Sequence, residues 1–185
     1  AAALTTLVLN VVAMWKQEPR SRQRKPGTPL PETFSEAWQA FSGTPQVLRR
    51  LLVVALGTLA FAMEDVLLEP YGGQVLGMSV ADTTLLTATL AVGGLIGFAW
   101  ASHVLGRGAD ALRMAGWGTA VGLPAFAAVI AAGPLQSTAL FSLGVFLIGL
   151  GGGLFGHGTL TATMRSAPDD RAGLALGAWG AVQAS

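Results

Sequence analysis

The sequence predicts an all-α, polytopic membrane protein, and three observations predict it: four long apolar runs, few charges, and basic residues confined to one side. Of the 185 residues, 52% are hydrophobic and only 11% are charged, and the mean hydropathy is positive. A water-soluble core of this size cannot take up that much apolar surface. When the runs are laid across a bilayer, all eleven Lys and Arg fall on one side. Seven (Lys16, Arg20, Arg22, Arg24, Lys25, Arg49 and Arg50) lie in or beside one long polar segment, Arg107 and Arg113 flank a later connection, and Arg165 and Arg171 flank the last. The connections Glu64 to Thr83 and Gly133 to Thr138 carry none, so the basic connections are expected to be cytoplasmic.

The formal net charge of +1 averages a basic side against an acidic one, which leaves no bulk signal for nucleic acid. With no cysteine and only two histidines, there is neither a disulfide framework nor a multi-histidine metal site to expect.

Residues 1–15 read as the end of a helix that begins upstream, with Trp15 at the headgroup level. Residues 16–47 read as a cytoplasmic loop. Its first part, Lys16 to Pro31, has the charged, Pro- and Gly-containing composition of a linker. Near 33–42, Phe34, Ala37, Trp38 and Phe41 recur at i, i+3, i+4 and i+7 behind the capping-box spacing of Thr33 and Glu36. That pattern predicts a short amphipathic helix on the membrane surface. Residues 48–185 hold the runs Leu51 to Leu68, Thr84 to Leu105, Met114 to Ala132 and Thr138 to about Met164, and another begins near Ala172. At about 1.5 Å per residue, each of the four can cross a hydrocarbon core of roughly 30 Å. With a partial helix at either end, the chain is expected to be a piece of a longer protein holding six membrane segments.

A helix end, a long basic loop and then helices joined by short turns resembles the middle and second half of a major facilitator superfamily transporter. The resemblance implies a major facilitator superfamily-like helical bundle in which this chain covers roughly helices 6 to 11. Within it, Arg107, Asp110 and Arg113 of the connection Gly106 to Arg113 resemble the superfamily's Gly, Asp and Arg loop motif. Ordinary basic residues of a cytoplasmic loop would read the same way.

The segment Glu64 to Ser79, EDVLLEPYGGQVLGMS, places three carboxylates and no base at the end of a membrane helix. Together with the later GGGLFGHGTLTATM, it resembles the bacteriochlorophyll delivery family of the same superfamily, assembly factors for the light-harvesting complexes of purple bacteria. That resemblance implies a protein of the inner, intracytoplasmic photosynthetic membrane that binds or delivers bacteriochlorophyll. Its implied partners are light-harvesting antenna polypeptides, LH1 with the reaction centre. Two other readings stay open: a proton-coupled solute transporter, and a purely structural subunit held at a pigment-protein assembly by its surface helix and outer faces.

Glu64 and Asp65 follow thirteen residues of the first run, about one turn inside its end. Carboxyls at that depth usually face a bundle interior or cavity. There, one can carry a proton, or a neutral carboxyl can donate to a pigment carbonyl; snorkelling to the interface with capping of the next turn is the alternative. Glu69 is expected in solvent, because Pro70 limits helix continuation and Tyr71-Gly72-Gly73 favours a turn, with Gln74 just beyond.

His157 lies eight residues before Arg165, about 12 Å along the helix. Its imidazole is either a ligand to the magnesium of a bacteriochlorophyll or a hydrogen-bonded residue between helices. His103, near Arg107, is a weaker candidate at a helix end. The glycines around His157 let a neighbouring helix, or a flat macrocycle, come close, and the spacings Gly93 with Gly97 and Gly152 with Gly156 suit helix packing. Gly151 to Gly156 also spells G-x-G-x-x-G, but no strand precedes it, which excludes a dinucleotide site. No P-loop, hydrolase elbow or metalloprotease pair occurs, so no enzyme is expected.

Overall fold

The computed structural model describes residues 35, 38, 39, 43, 45–167 and 172–184. The chain divides into the units Ala1–Glu36 and Ala37–Ser185, and the fold below is that of the second. The predicted helix end at 1–15, the linker, Phe34, Phe41 and Arg171 lie outside the described residues. Trp38 is helical and exposed.

Five helices follow in order: α1 Pro45–Val75, α2 Val80–Gly106, α3 Ala111–Ala132, α4 Thr138–Ser166 and α5 Ala172–Gln183. No strand occurs among the described residues. Helices α1 to α4 are each long and apolar enough to cross a membrane, so the fold is all-helical and polytopic. Large apolar side chains such as Val66, Leu95, Leu123 and Ile130 stand on the outer surface, which suits a hydrocarbon solvent.

Helix α1 departs from the expected run at both ends. It starts before Arg49 and Arg50, and it continues through Pro70 to Val75 instead of turning at Tyr71-Gly72-Gly73. Contacts with other helices hold it there. The Tyr71 ring stacks on Phe141 of α4 with centroids 5.6 Å apart. Gly72 is buried so closely that an added Cβ would stand 3.3 Å from Leu86 and Phe141. The reversal comes at Gly77, whose φ of 64° suits a residue without Cβ. Met78 closes it by donating its N–H to the Gly72 carbonyl at 3.1 Å. Ser79 then caps α2 in a reciprocal box with Asp82, satisfying N–H groups that the helix start leaves unpaired.

The other connections are equally short. Asp110 accepts the N–H of Arg113 at 2.7 Å and caps α3. Ser137 caps α4 by accepting from Leu140, after a turn in which Gln136 takes a φ of 48°.

Helices α2 and α3 both lie along α4 and barely touch each other, so α4 is the centre of the bundle. Glycines set this closeness. A Cβ on Gly118 of α3 would stand 2.6 Å from the Gly151 carbonyl oxygen of α4, and one on Gly149 would stand 3.0 Å from the Gly94 amide nitrogen of α2. Two apolar clusters finish the trio, one around Leu105, Met114 and Leu154 and the other around Leu86, Phe141 and Val145. Arg165 of α4 ties one end by donating to the carbonyls of Ala109 at 2.8 Å and Leu105 at 2.9 Å. Helix α5 packs Ala175 and Ala178 against Val47 and Leu51 of α1, and Trp179 donates to the Thr159 hydroxyl of α4 at 3.2 Å.

Candidate functional site

Glu64 lies eleven residues before the end of α1, about 16 Å along the axis, because the helix outlasts its apolar run. It is therefore deeper in its helix than the sequence expectation of one turn. The side chain is half-buried and lines a cavity of about 280 Å³ between α1, α4 and the end of α5. Thr58 and Gln183 supply the cavity's other polar groups, and Phe61 and Phe155 supply its aromatic walls. The Thr58 hydroxyl oxygen is buried with no hydrogen-bond partner. A buried hydroxyl of that kind costs about 1 to 3 kcal/mol unless something in the cavity pairs with it.

Two glycines of α4, Gly152 and Gly156, complete the lining. A Cβ on Gly156 would meet nothing within 4 Å, and one on Gly152 would meet only Phe61 at ordinary van der Waals distance. The spacing of this pair in the sequence suits helix packing. Gly93 and Gly97 do bring helices together, whereas Gly152 and Gly156 floor a space.

His157 sits elsewhere. Its ring packs against Phe98 of α2 with centroids 4.2 Å apart, and it does not line the cavity that holds Glu64. Its Nδ1 is buried without a hydrogen-bond partner. The glycine beside it on the α2 side is filled by protein: a Cβ on Gly153 would stand 3.0 Å from the Phe98 amide nitrogen. Glu64 and His157 thus belong to separate places on α4 and its neighbours.

The remaining candidates are spread along the molecule. Glu69 is exposed, and it accepts a hydrogen bond from Thr87 at 2.9 Å, which ties α1 to α2. Gln74 is exposed in the last turn of α1, and His103 in the last turn of α2. Asp65 is helical, and its side chain lies outside the described residues. Arg107 and Arg113 are exposed around the Asp110 cap.

A model of the family described as PUCC protein matches residues 1–185, the whole chain. The chain belongs to the PUCC family. It is 59% identical to Protein PucC of Rhodovulum sulfidophilum, covering 100% of this chain and 41% of that protein. It is 54% identical to Protein PucC of Cereibacter sphaeroides, over 99% of this chain and 40% of the relative, and 54% identical to Protein PucC of Rhodobacter capsulatus, with the same coverage. The chain therefore spans about two fifths of the length of these curated relatives. No solved structure matches it.

Membership bears out the resemblance read from Glu64 to Ser79 and from the glycine stretch of α4. In this PUCC-family chain both segments meet at one place, since the first contributes Glu64 and the second contributes Gly152 and Gly156. Thr58 and Gln183 were missed in sequence. Thr58 offered one faint signal, a lone hydroxyl six residues before Glu64 within an apolar run.

Proposed function

We propose that the protein is an assembly factor for bacterial light-harvesting complexes, LH1 with the reaction centre, that binds or delivers bacteriochlorophyll within the intracytoplasmic photosynthetic membrane. The observation that carries this reading is the PUCC-family match across all 185 residues. In this reading the chain supplies part of a major facilitator superfamily-like bundle, its basic loops face the cytoplasm, and it acts by binding rather than by catalysis. Antenna polypeptides are the partners, met at apolar outer faces.

The residues around Glu64 fit one edge of such a pigment. A cavity of about 280 Å³ is at the small end of ligand sites, so it suits a polar substituent rather than a whole macrocycle. Thr58 and Glu64 would hold that substituent by hydrogen bonds, Phe61 and Phe155 would cover its apolar flanks, and Gly156 would let it lie against the α4 backbone. His157 offers an imidazole nitrogen to a magnesium, but its other nitrogen lacks the acceptor that normally fixes a ligating histidine. When bound, the pigment supplies light absorption, and the protein's part is to shelter and orient it.

Absorption spectra of the gently purified full-length protein test this, alongside antenna assembly in a deletion strain. Associated bacteriochlorophyll and impaired assembly are expected. Purified protein without pigment, together with normal antenna in the deletion strain, would sink the proposal.

The half-buried Glu64 in a cavity also supports a second reading, a proton-coupled solute transporter. Uptake into vesicles driven by a pH gradient and abolished by Glu64→Gln would favour it. Uptake that survives that substitution would remove its proposed carrier.

A further inference from the structure

A second cavity, of about 610 Å³, opens at the end of the bundle where α1 begins, between the first turns of α1 and α3 and the last turns of α4. Its mouth carries Arg49, which is exposed, and Arg50, which is half-buried. Neither guanidinium has a carboxylate partner among the described residues, and no Asp or Glu lines the cavity. The nearest acid in sequence on α3, Asp110, caps that helix through the Arg113 N–H instead. Among the described residues, the cationic charge at this mouth is thus uncompensated.

On the α1 and α4 walls the lining turns apolar inward, while α3 contributes Leu112, Ala115, Gly116 and, deepest, Thr119. One turn beyond Arg50, α1 presents Val54, and α4 passes from Thr163 to Thr159 to Phe155 over the same depth. A freely soluble ion would gain nothing from the inner half, and an uncharged lipid chain would gain nothing from the arginines. Both halves are matched by one molecule with an anionic head and an apolar tail. The volume lies within the range of ordinary ligand sites and holds a headgroup with the first part of a chain. Guanidinium groups pair with phosphate through two parallel hydrogen bonds, which favours phosphate as the head.

We infer that this cavity binds the phosphate head of an anionic membrane lipid, with Arg49 and Arg50 as its anchors and Val53, Val54 and Leu112 along its acyl chain. Phe155 borders both this cavity and the one at Glu64, but neither Glu64 nor Thr58 lines this one, and the inference does not rest on the function proposed there; a basic pocket between membrane helices is a recurrent place for such heads.

Gly116 gives a clean probe. It lines the cavity, and a Cβ there would meet nothing within 4 Å, so Gly116→Leu fills the space without forcing helices apart. The experiment measures lipid binding to the detergent-solubilised full-length protein by native mass spectrometry, with phosphatidylglycerol, phosphatidylcholine and free glycerol phosphate as the three probes. Saturable phosphatidylglycerol binding is expected, with weak binding of phosphatidylcholine and none of glycerol phosphate. The Arg49→Gln, Arg50→Gln double variant should bind phosphatidylglycerol roughly thirtyfold more weakly, at the usual gain per basic residue near an anionic surface. Gly116→Leu should weaken it comparably without lowering the thermal unfolding temperature. Equal binding of the two lipids, or undiminished phosphatidylglycerol binding in both variants, overturns the inference. Glycerol phosphate binding as tightly as phosphatidylglycerol overturns it too, in favour of a soluble phosphate ligand.

Discussion

Helix α4 presents two unlike glycine surfaces. Toward α2 and α3, the place of each absent side chain is taken by backbone of the neighbouring helix, as at Gly118 against Gly151 and Gly149 against Gly94. Toward α1 and α5, Gly152 and Gly156 border a cavity holding Glu64 and an unpaired Thr58 hydroxyl. The first surface is a fixed frame and the second is adaptable. Without a hydrophobic force between helices in lipid, close van der Waals contact holds the frame, while omitted contact leaves room for a guest.

Gly149→Leu tests the frame most severely. Its side chain must displace the backbone of α2, at a cost of about 3 kcal/mol, and a steep loss of folded protein in thermal unfolding is expected. A variant as stable as wild type would mean that α2 and α4 are not held in this way. Arg165→Leu comes next. It strips the Leu105 and Ala109 carbonyls of charged donors, for about 1.5 kcal/mol and a lower melting temperature. Gly156→Leu should change stability by less than about 1 kcal/mol, since leucine is the better helix former and has space. It should nevertheless reduce pigment retained on purification. Unaltered retention would place the pigment elsewhere. His157→Phe has the smallest expected effect on stability, neutral or slightly favourable, because it replaces an unsatisfied buried nitrogen by a ring that still packs on Phe98. Loss of pigment in this variant alone would assign the magnesium to His157.

The four spanning helices and most of their boundaries were legible because apolar length alone selects a spanning helix. Met114 to Ala132 differs from α3 by only three residues at its start, and Thr138 to Met164 from α4 by two at its end. The first run fell short on both sides for one reason. Hydropathy registers where a side chain prefers water, but backbone hydrogen bonding does not stop at Arg50 or Glu64. Pro70 argued for a break that the stacking of Tyr71 on Phe141 overrides. Of the candidate site, Glu64 was legible from its depth, but its companions were not. Thr58, Gly156 and Gln183 lie on three helices, and their meeting depends on which face α4 turns toward α1. The glycines were ambiguous in sequence, since spacing marks small residues but not whether a neighbour fills the place they leave.

The central position of α4 also has a consequence for biosynthesis. Helices α2 and α3 leave the ribosome before it, and they make little contact with each other. The flanks that Gly94 and Gly118 present to α4 find their partners only when α4 follows, and the carbonyls of Leu105 and Ala109 receive Arg165 only then. Within this part of the protein, a single later helix closes both interfaces at once.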